Sequence, residues 1–265
     1  MGKKIPMLVW MSMCIVVGSA QDMDIYEARW FVASGGDTMP YRIMYPEAYD
    51  RGKSYPLIIF LHGAGERGRD NALQLTHGAR LFASAEHRKR YPAIVVFPQC
   101  PAQDYWASVE RDAERVRWQF PLLEEPGRPM GALLELLDFL MLTERVNQRR
   151  VYVAGLSMGG MGTFELLARR PGVFAAAVPI CGGGNPVLAP IYATETAMWL
   201  FHGDADVVVP VALSRKMAEA IKQAGNRKLR YTEYAGVNHD SWTPAFAEPA
   251  FMPWLFRQHK KRGGR

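Results

Sequence analysis

Val151-Tyr152-Val153-Ala154-Gly155-Leu156-Ser157-Met158-Gly159-Gly160 is the stretch on which the fold turns. A β-branched apolar run climbs directly into Gly-x-Ser-x-Gly, and the helix-forming run 163–170 follows at once. Strand, sharp turn and helix make the context in which this motif reads as a nucleophile elbow, and not as a glycine-rich turn with an idle serine. The residue types follow from sterics. A serine held in a strained conformation needs small neighbours, and Gly155 and Gly159 let strand and helix approach without Cβ clashes. Ser157 then projects its hydroxyl above the sheet. The Met158 N–H, at the helix start, points where an oxyanion would form.

The flanking sequence supplies the sheet. Residues 57–61 and 93–97 upstream, and 174–180 and 197–201 downstream, are continuous apolar runs, the signature of strands buried on both faces. Residues 229–234 read as the last strand. Residues 26–32 and 41–45 read as two more, joined by the turn signal Ser34-Gly35-Gly36-Asp37. Leu133, Leu134, Leu136, Leu137, Leu140 and Met141 repeat at helical spacing and form the crossover into the elbow strand. Residues 211–224 and 249–258 read as helices. Alternation of this kind predicts the α/β class, with a mostly parallel central sheet covered by helices on both faces.

The chain opens Met1-Gly2-Lys3-Lys4, runs apolar over residues 5–17 and reaches Gly18-Ser19-Ala20. A positive start, an apolar stretch of this length and a small-residue end read as a secretory signal cleaved after Ala20. The apolar run is short for a membrane anchor, and the residues before Cys14 do not suit a lipoprotein site. Residues 1–20 are thus expected to be a signal peptide and 21–265 a single catalytic domain. The mature chain is expected to be periplasmic or secreted and to have no membrane span. The formal charge of +6 falls to +4 when Lys3 and Lys4 leave, because the signal holds no acidic residue. Basic residues gather in His87-Arg88-Lys89-Arg90 and in the tail 257–265. They read as a solvated helix end and a terminus, and no nucleic-acid motif accompanies them.

A serine nucleophile needs a base, and the base needs an orienting carboxylate. Six histidines are available. His62 lies in a glycine-rich loop, His77 in a surface turn, His87 in a charged run and His259 in the basic tail. His202 ends a strand and precedes a glycine, where it supports the turn. His239 stands in the loop after the last strand and is the expected base. Asp204 and Asp206 compete as the acid. Asp206, just before Val207-Val208-Val209-Pro210, is preferred, and Asp240 reads as a cap or turn residue. Ser157, Asp206 and His239 then follow one another in the chain order of a nucleophile-elbow hydrolase.

The loop His62-Gly63-Ala64-Gly65-Glu66-Arg67-Gly68 follows a central strand, so its backbone N–H groups face the same edge as Ser157. The Ala64 amide is the expected second oxyanion donor, with Gly65 as alternate. The loop lacks the Lys-Ser/Thr ending of a phosphate-binding loop. Glu66 and Arg67 either pair across it or stand solvated. Residues 102–128 show no period and read as a wall of the cleft, carrying Trp106 and Trp118. Trp106 is placed for substrate contact or for the core. Trp242, close after His239, is the other expected substrate contact.

Leu61-His62-Gly63-Ala64-Gly65-Glu66-Arg67-Gly68, Pro98-Gln99-Cys100-Pro101, Gly155-Leu156-Ser157-Met158-Gly159-Gly160, His202-Gly203-Asp204-Ala205-Asp206 and His239-Asp240-Ser241-Trp242 together resemble the exported carboxylesterases of the polyhydroxybutyrate depolymerase, feruloyl esterase and phospholipase/carboxylesterase cluster. The resemblance spans nearly the whole mature chain and implies the α/β-hydrolase fold. It also implies Ser157 as nucleophile, Asp206 as acid, His239 as base, and Met158 and Ala64 as oxyanion amides. It implies no cofactor. The expected substrate is a small-molecule or polysaccharide-linked ester, such as an acyl or feruloyl ester. In the strand order of that fold Cys100 and Cys181 follow strands that are not neighbours, which disfavours a disulfide, and no Cys/His spacing suits a metal.

Two other readings compete. A peptidase related to the prolyl oligopeptidases would share the fold, but there is no room here for the propeller such enzymes carry. A catalytically silent binding protein predicts loss of a triad member, and all three candidates are present. Polyester depolymerase activity would call for exposed aromatic residues on a docking face.

Overall fold

The apolar runs become the centre of one eight-stranded sheet. A computed structural model describes residues 23–112, 117–121 and 125–260. The expected signal peptide, residues 1–20, lies outside them. The strands are β1 (Glu27–Val32), β2 (Thr38–Met44), β3 (Tyr55–Leu61), β4 (Ile94–Pro98), β7 (Val146–Leu156), β8 (Ala176–Ile180), β9 (Ala197–Gly203) and β10 (Arg230–Tyr234). β5 (Glu110–Arg111) and β6 (Trp118–Gln119) form a separate small hairpin in the wall segment. The sheet order is β1-β2-β4-β3-β7-β8-β9-β10. β2 runs antiparallel to both β1 and β4, and every other pair is parallel. That is the mostly parallel α/β-hydrolase arrangement.

Pleating divides the core in two. Leu57, Ile59, Leu61, Val151 and Val153 point to one face, and Ile58, Phe60, Tyr152 and Ala154 to the other. The first face is covered by α3 (Arg128–Thr143), α4 (Met158–Arg169), α5 (Ala189–Tyr192) and α6 (Val211–Gln223), and the second by α1 (Ala79–Ala83), α7 (Trp242–Ala247) and α8 (Phe251–Arg257). Short α2 (Ala85–Arg90) carries the basic run. Its Ser84 cap accepts the His87 N–H, and His87 to Arg90 fall in its last turn, where cations suit the helix dipole. Among the described residues no helix is long and apolar enough to cross a membrane.

Parallel strands bring their C-terminal ends to one edge. The loops after β3, β4, β7, β8, β9 and β10 therefore converge there. Cys100 and Cys181 follow β4 and β8, which β3 and β7 separate, and both thiols are free and buried.

Candidate active site

Ser157 sits between β7 and α4 with φ 54° and ψ −116°, a positive φ that a residue bearing Cβ adopts only under constraint. Glycine packing supplies the constraint. A Cβ on Gly159 would lie 1.9 Å from the Leu61 carbonyl oxygen, and one on Gly155 2.3 Å from that of Gly159. Helix α4 is thereby pressed onto the ends of β3 and β7. The Ser157 N–H donates to the Ile180 oxygen at 2.9 Å, which ties the turn to β8.

Three loops meet at this serine. His239, after β10, places Nε2 2.9 Å from Ser157 Oγ and Nδ1 2.7 Å from Asp206 Oδ2. A carboxylate accepts, so Nδ1 carries the proton and Nε2 is left to accept from the serine hydroxyl. The Asp206 side chain is fully buried, and its Oδ1 accepts the Val208 and Val209 N–H groups at 2.8 and 2.9 Å. Burial alone would raise its pKa. Hydrogen bonds from His202, His239 and the Val209 amide outweigh that and hold the carboxyl well below its ordinary range.

The other expected positions separate into rim and support. Met158 and Ala64 are the first residues of their helical turns, so their N–H groups fall outside the hydrogen bonding of those turns. Trp242 opens α7 and stands edge-on to the His239 ring, with centroids 5.4 Å apart. It also lies against His77, at 5.1 Å. Trp106 does not reach the cleft. It is fully buried, donates its indole N–H to the His62 oxygen at 3.2 Å and packs against Gly162. The reading of Trp106 as a substrate contact is therefore corrected to a core role. The large apolar ring, soon after a strand end, is drawn under the wall segment.

Asp204 accepts the Gly236 N–H at 2.7 Å, away from the histidine, and Asp240, just before the Ser241 cap of α7, accepts the hydroxyl and N–H of Thr243. Glu66 and Arg67 do not pair. Arg67 donates to the backbone oxygens of Ala64 and Asp104, and Glu66 lies 3.7 Å from His77. His62 is buried, with Nδ1 against the Gly63 oxygen and Nε2 accepting the Cys100 N–H at 3.0 Å, and burial drives its pKa down to about 4. Its neutral ring joins the glycine-rich loop after β3 to the end of β4.

Two contacts had no sequence signal strong enough to single them out. Asn238 Oδ1 accepts from Val207 N–H and His239 N–H, joining the loop of Asp206 to the loop of His239. His202 places Nε2 3.2 Å from Asp206 Oδ2, the same oxygen that faces His239. Cys181, Asp206 and His239 also offer three donor atoms close together. Burial pushes the Cys181 thiol up to about 12, and the other two are hydrogen bonded to each other, so the set does not suit a cation. Beside α4, from Met161 onward, runs a cavity of about 430 Å³ lined by Met161, Phe164, Phe120, Leu188 and Tyr192.

Known proteins share this arrangement of chain. The profile of the esterase family, described as "Putative esterase", matches residues 33–227. A crystal structure of a thermostable esterase superposes with a TM-score of 0.80 at 35% identity, covering 89% of this chain and 64% of that one. An endo-1,4-beta-xylanase/feruloyl esterase of Xylanibacter ruminicola is 26% identical over 207 residues, which are 76% of this chain and 27% of that protein. A dipeptidyl-peptidase 5 of Porphyromonas gingivalis is 24% identical over 178 residues, 67% of this chain and 24% of that protein. The chain thus spans about a quarter of the length of these two curated relatives. With the family profile covering most of its length, the chain belongs to the esterase family.

Proposed function

We propose that the protein is a serine carboxylic-ester hydrolase that works through an acyl-enzyme, with Ser157 as nucleophile, His239 as general base and Asp206 as orienting acid. The observation that carries this reading is the unbroken hydrogen-bonded path from Ser157 Oγ through His239 to Asp206, at 2.9 and 2.7 Å. His239 Nε2 takes the hydroxyl proton as Oγ attacks the ester carbonyl. The Met158 and Ala64 amides receive the developing oxyanion, each donor contributing on the order of 3 kcal/mol. The tetrahedral centre collapses, and the alcohol leaves with the proton from His239. Water, deprotonated by the same ring, attacks the acyl-enzyme, the acyl–Oγ bond breaks, the acid departs, and His239 returns the proton to Ser157 Oγ.

The favoured substrates are small-molecule or polysaccharide-linked acyl esters, feruloyl esters among them. The feruloyl esterase named in one curated relative supports this. So does the cavity of about 430 Å³ beside α4, whose lining mixes Met161, Phe164 and Tyr192 with Glu165, Arg169 and Arg170 and reaches, at Met161, one helical turn from Ser157, with room for an aromatic acyl group. Among the described residues the large aromatic side chains that stand exposed are Trp30 on β1 and Phe139 on α3, neither of them at the cleft, whereas the exposed aliphatic Val207 and Val208 follow Asp206 directly. We further propose that residues 21–265 act as one catalytic domain, exported by a leader at residues 1–20.

A second reading, as a peptidase, draws on the dipeptidyl-peptidase relative. One panel separates the two: p-nitrophenyl acetate, butyrate and laurate, methyl ferulate and a chromogenic peptide, each with wild type and Ser157→Ala. Ester turnover abolished in Ser157→Ala is the expected result, and the best ester defines the acyl group. Peptide turnover without ester turnover would replace the esterase by the peptidase. A folded wild type inert on every member would sink both.

A further inference from the structure

Four cations meet at the end of the sheet that lies away from Ser157. A groove of about 580 Å³ runs past the starts of β3, β4 and β7. Lys53 reaches it from the loop before β3, Arg90 from the last turn of α2, Arg150 from the first half of β7 and Arg257 from the last turn of α8. Among the described residues no carboxylate lines it. Lys53 and Arg90 have carboxylates nearby, Asp50 at 3.5 Å and Glu86 at 3.9 Å, but all four side chains are exposed and such pairs hold weakly. Arg150 is fixed in place by donating to the Phe256 oxygen.

Helix dipoles account for part of this. Arg90 and Arg257 end helices, where a cation is favoured without any partner. Lys53 stands in a loop and Arg150 in a strand, and no dipole brings these two to the same groove. Like charges drawn together from four elements repel one another unless an anion lies among them.

We propose that this groove binds an acidic polysaccharide, whose uronate carboxylates pair with Lys53, Arg90, Arg150 and Arg257. Guanidinium forks match the geometry of a carboxylate, and an open groove with cations on several elements takes more than one carboxylate along a chain. On its wall the half-buried Tyr91 ring packs on Phe256, with centroids 4.9 Å apart, and offers an apolar surface to a sugar face. Among the described residues no exposed large apolar side chain lines the groove, so it has nothing to insert into a lipid surface. The choice of a sugar chain rests on the polysaccharide-linked ester reading given above, and the anion chemistry does not. Arg150 and Ser157 lie at opposite ends of β7, seven residues and roughly 20 Å apart. A polymer held at the groove therefore leaves the cleft open and raises the local concentration of esters carried on the same polymer.

The test is retention of the full chain in native gels cast with a polymer, which needs no turnover and so is independent of the esterase reading. Polygalacturonate should retard the protein, and the same polymer with its carboxyls methyl-esterified should not. Retardation should fade as salt rises from about 0.05 M to about 0.5 M. Lys53→Gln combined with Arg257→Gln, both exposed positions, should weaken binding at least about tenfold and leave p-nitrophenyl acetate turnover at the wild-type level. Lys216→Gln combined with Lys222→Gln removes the same charge from the exposed side of α6 and should stay within about twofold of wild type. Equal loss in the two pairs would reduce the effect to net charge and overturn the proposal. So would retention by the methyl-esterified polymer, absence of retention by polygalacturonate, or tighter retention by duplex DNA, which would mark a nucleic-acid face instead. Should the groove pair fail to fold, the comparison of polymers on the wild type decides alone.

Discussion

Asn238 Oδ1 accepts the Val207 N–H at 3.1 Å and so fastens the loop that carries Asp206 to the loop that carries His239. The two residues lie in loops after different strands, β9 and β10, whose edges pair only up to Tyr234 and Gly203. Beyond that register, the Asp204 and Ala205 N–H groups still bond the Tyr234 and Val237 oxygens, and Asn238 adds the side-chain link nearest Asp206 and His239. Asn238→Ala should lower kcat by roughly tenfold with little change in KM, since a loosened base costs proton transfer and not binding. Steady-state kinetics on the best ester of the panel would check it. A change confined to KM would contradict the bridging role.

The two aspartates of the His202-Gly203-Asp204-Ala205-Asp206 turn predict opposite phenotypes. Asp206→Asn presents an amide where His239 needs an acceptor, leaves the ring in the wrong tautomer, and should cost about 10⁴-fold in kcat. Asp204→Asn keeps an acceptor for the Gly236 N–H and should stay within about twofold of wild type. Measuring both in one preparation separates the acid from its neighbour.

Two tryptophans should likewise diverge. Trp106→Phe removes a buried hydrogen bond and leaves a void under the wall segment, so it should destabilise by about 2 kcal/mol in urea unfolding without altering KM. Trp242→Ala strips the ring that stands against His239 and should reduce kcat/KM several-fold with little loss of stability. Reversed results would reverse the assignments made to the two rings.

His62 gives the fold a pH dependence of known sign. In the unfolded chain its ring takes a proton below about 6.5, whereas the buried ring of the folded protein resists down to about 4. Stability from this residue is complete above the higher value and is lost as pH falls through the window to the lower one. The shift corresponds to about 3 kcal/mol. Urea midpoints measured between pH 7 and about pH 4.5 should decline in wild type. A flat midpoint would show that His62 is protonated, or exposed, in the folded state.

Much of this architecture was legible in the chain, because its signals are local. Residues 57–61 and 93–97 are apolar without interruption, and only strands covered on both sides need that. The elbow declared itself because Gly155 and Gly159 mark an approach that a methyl group forbids. The order of Ser157, Asp206 and His239 followed from which loops succeed which strands. What stayed hidden depends on distance in three dimensions. Helix α7 is six residues long, and Asp240, which holds Thr243 in its first turn, reads equally well as a turn residue. Trp106 lies after a strand end whether it faces in or out, and the packing of Gly162 decides. His202 looked like the support of a turn. It does support one through the Val209 carbonyl, but Ser214, which its other ring nitrogen faces, arrives from α6 and leaves no trace at the motif.

The backbone at Ser157 carries a last implication. With φ at 54° the serine occupies a conformation that glycine would adopt at little cost. Ser157→Gly should therefore unfold at higher denaturant than wild type, by about 1 kcal/mol, even as every trace of acyl transfer vanishes. Ser157→Ala, which retains the Cβ and its strain, should not gain that increment. The hydroxyl is held in place against the preference of its own backbone. A search for stabilising substitutions in this chain would select away the serine to which we assign the nucleophile's role, and activity must be screened alongside melting temperature from the outset.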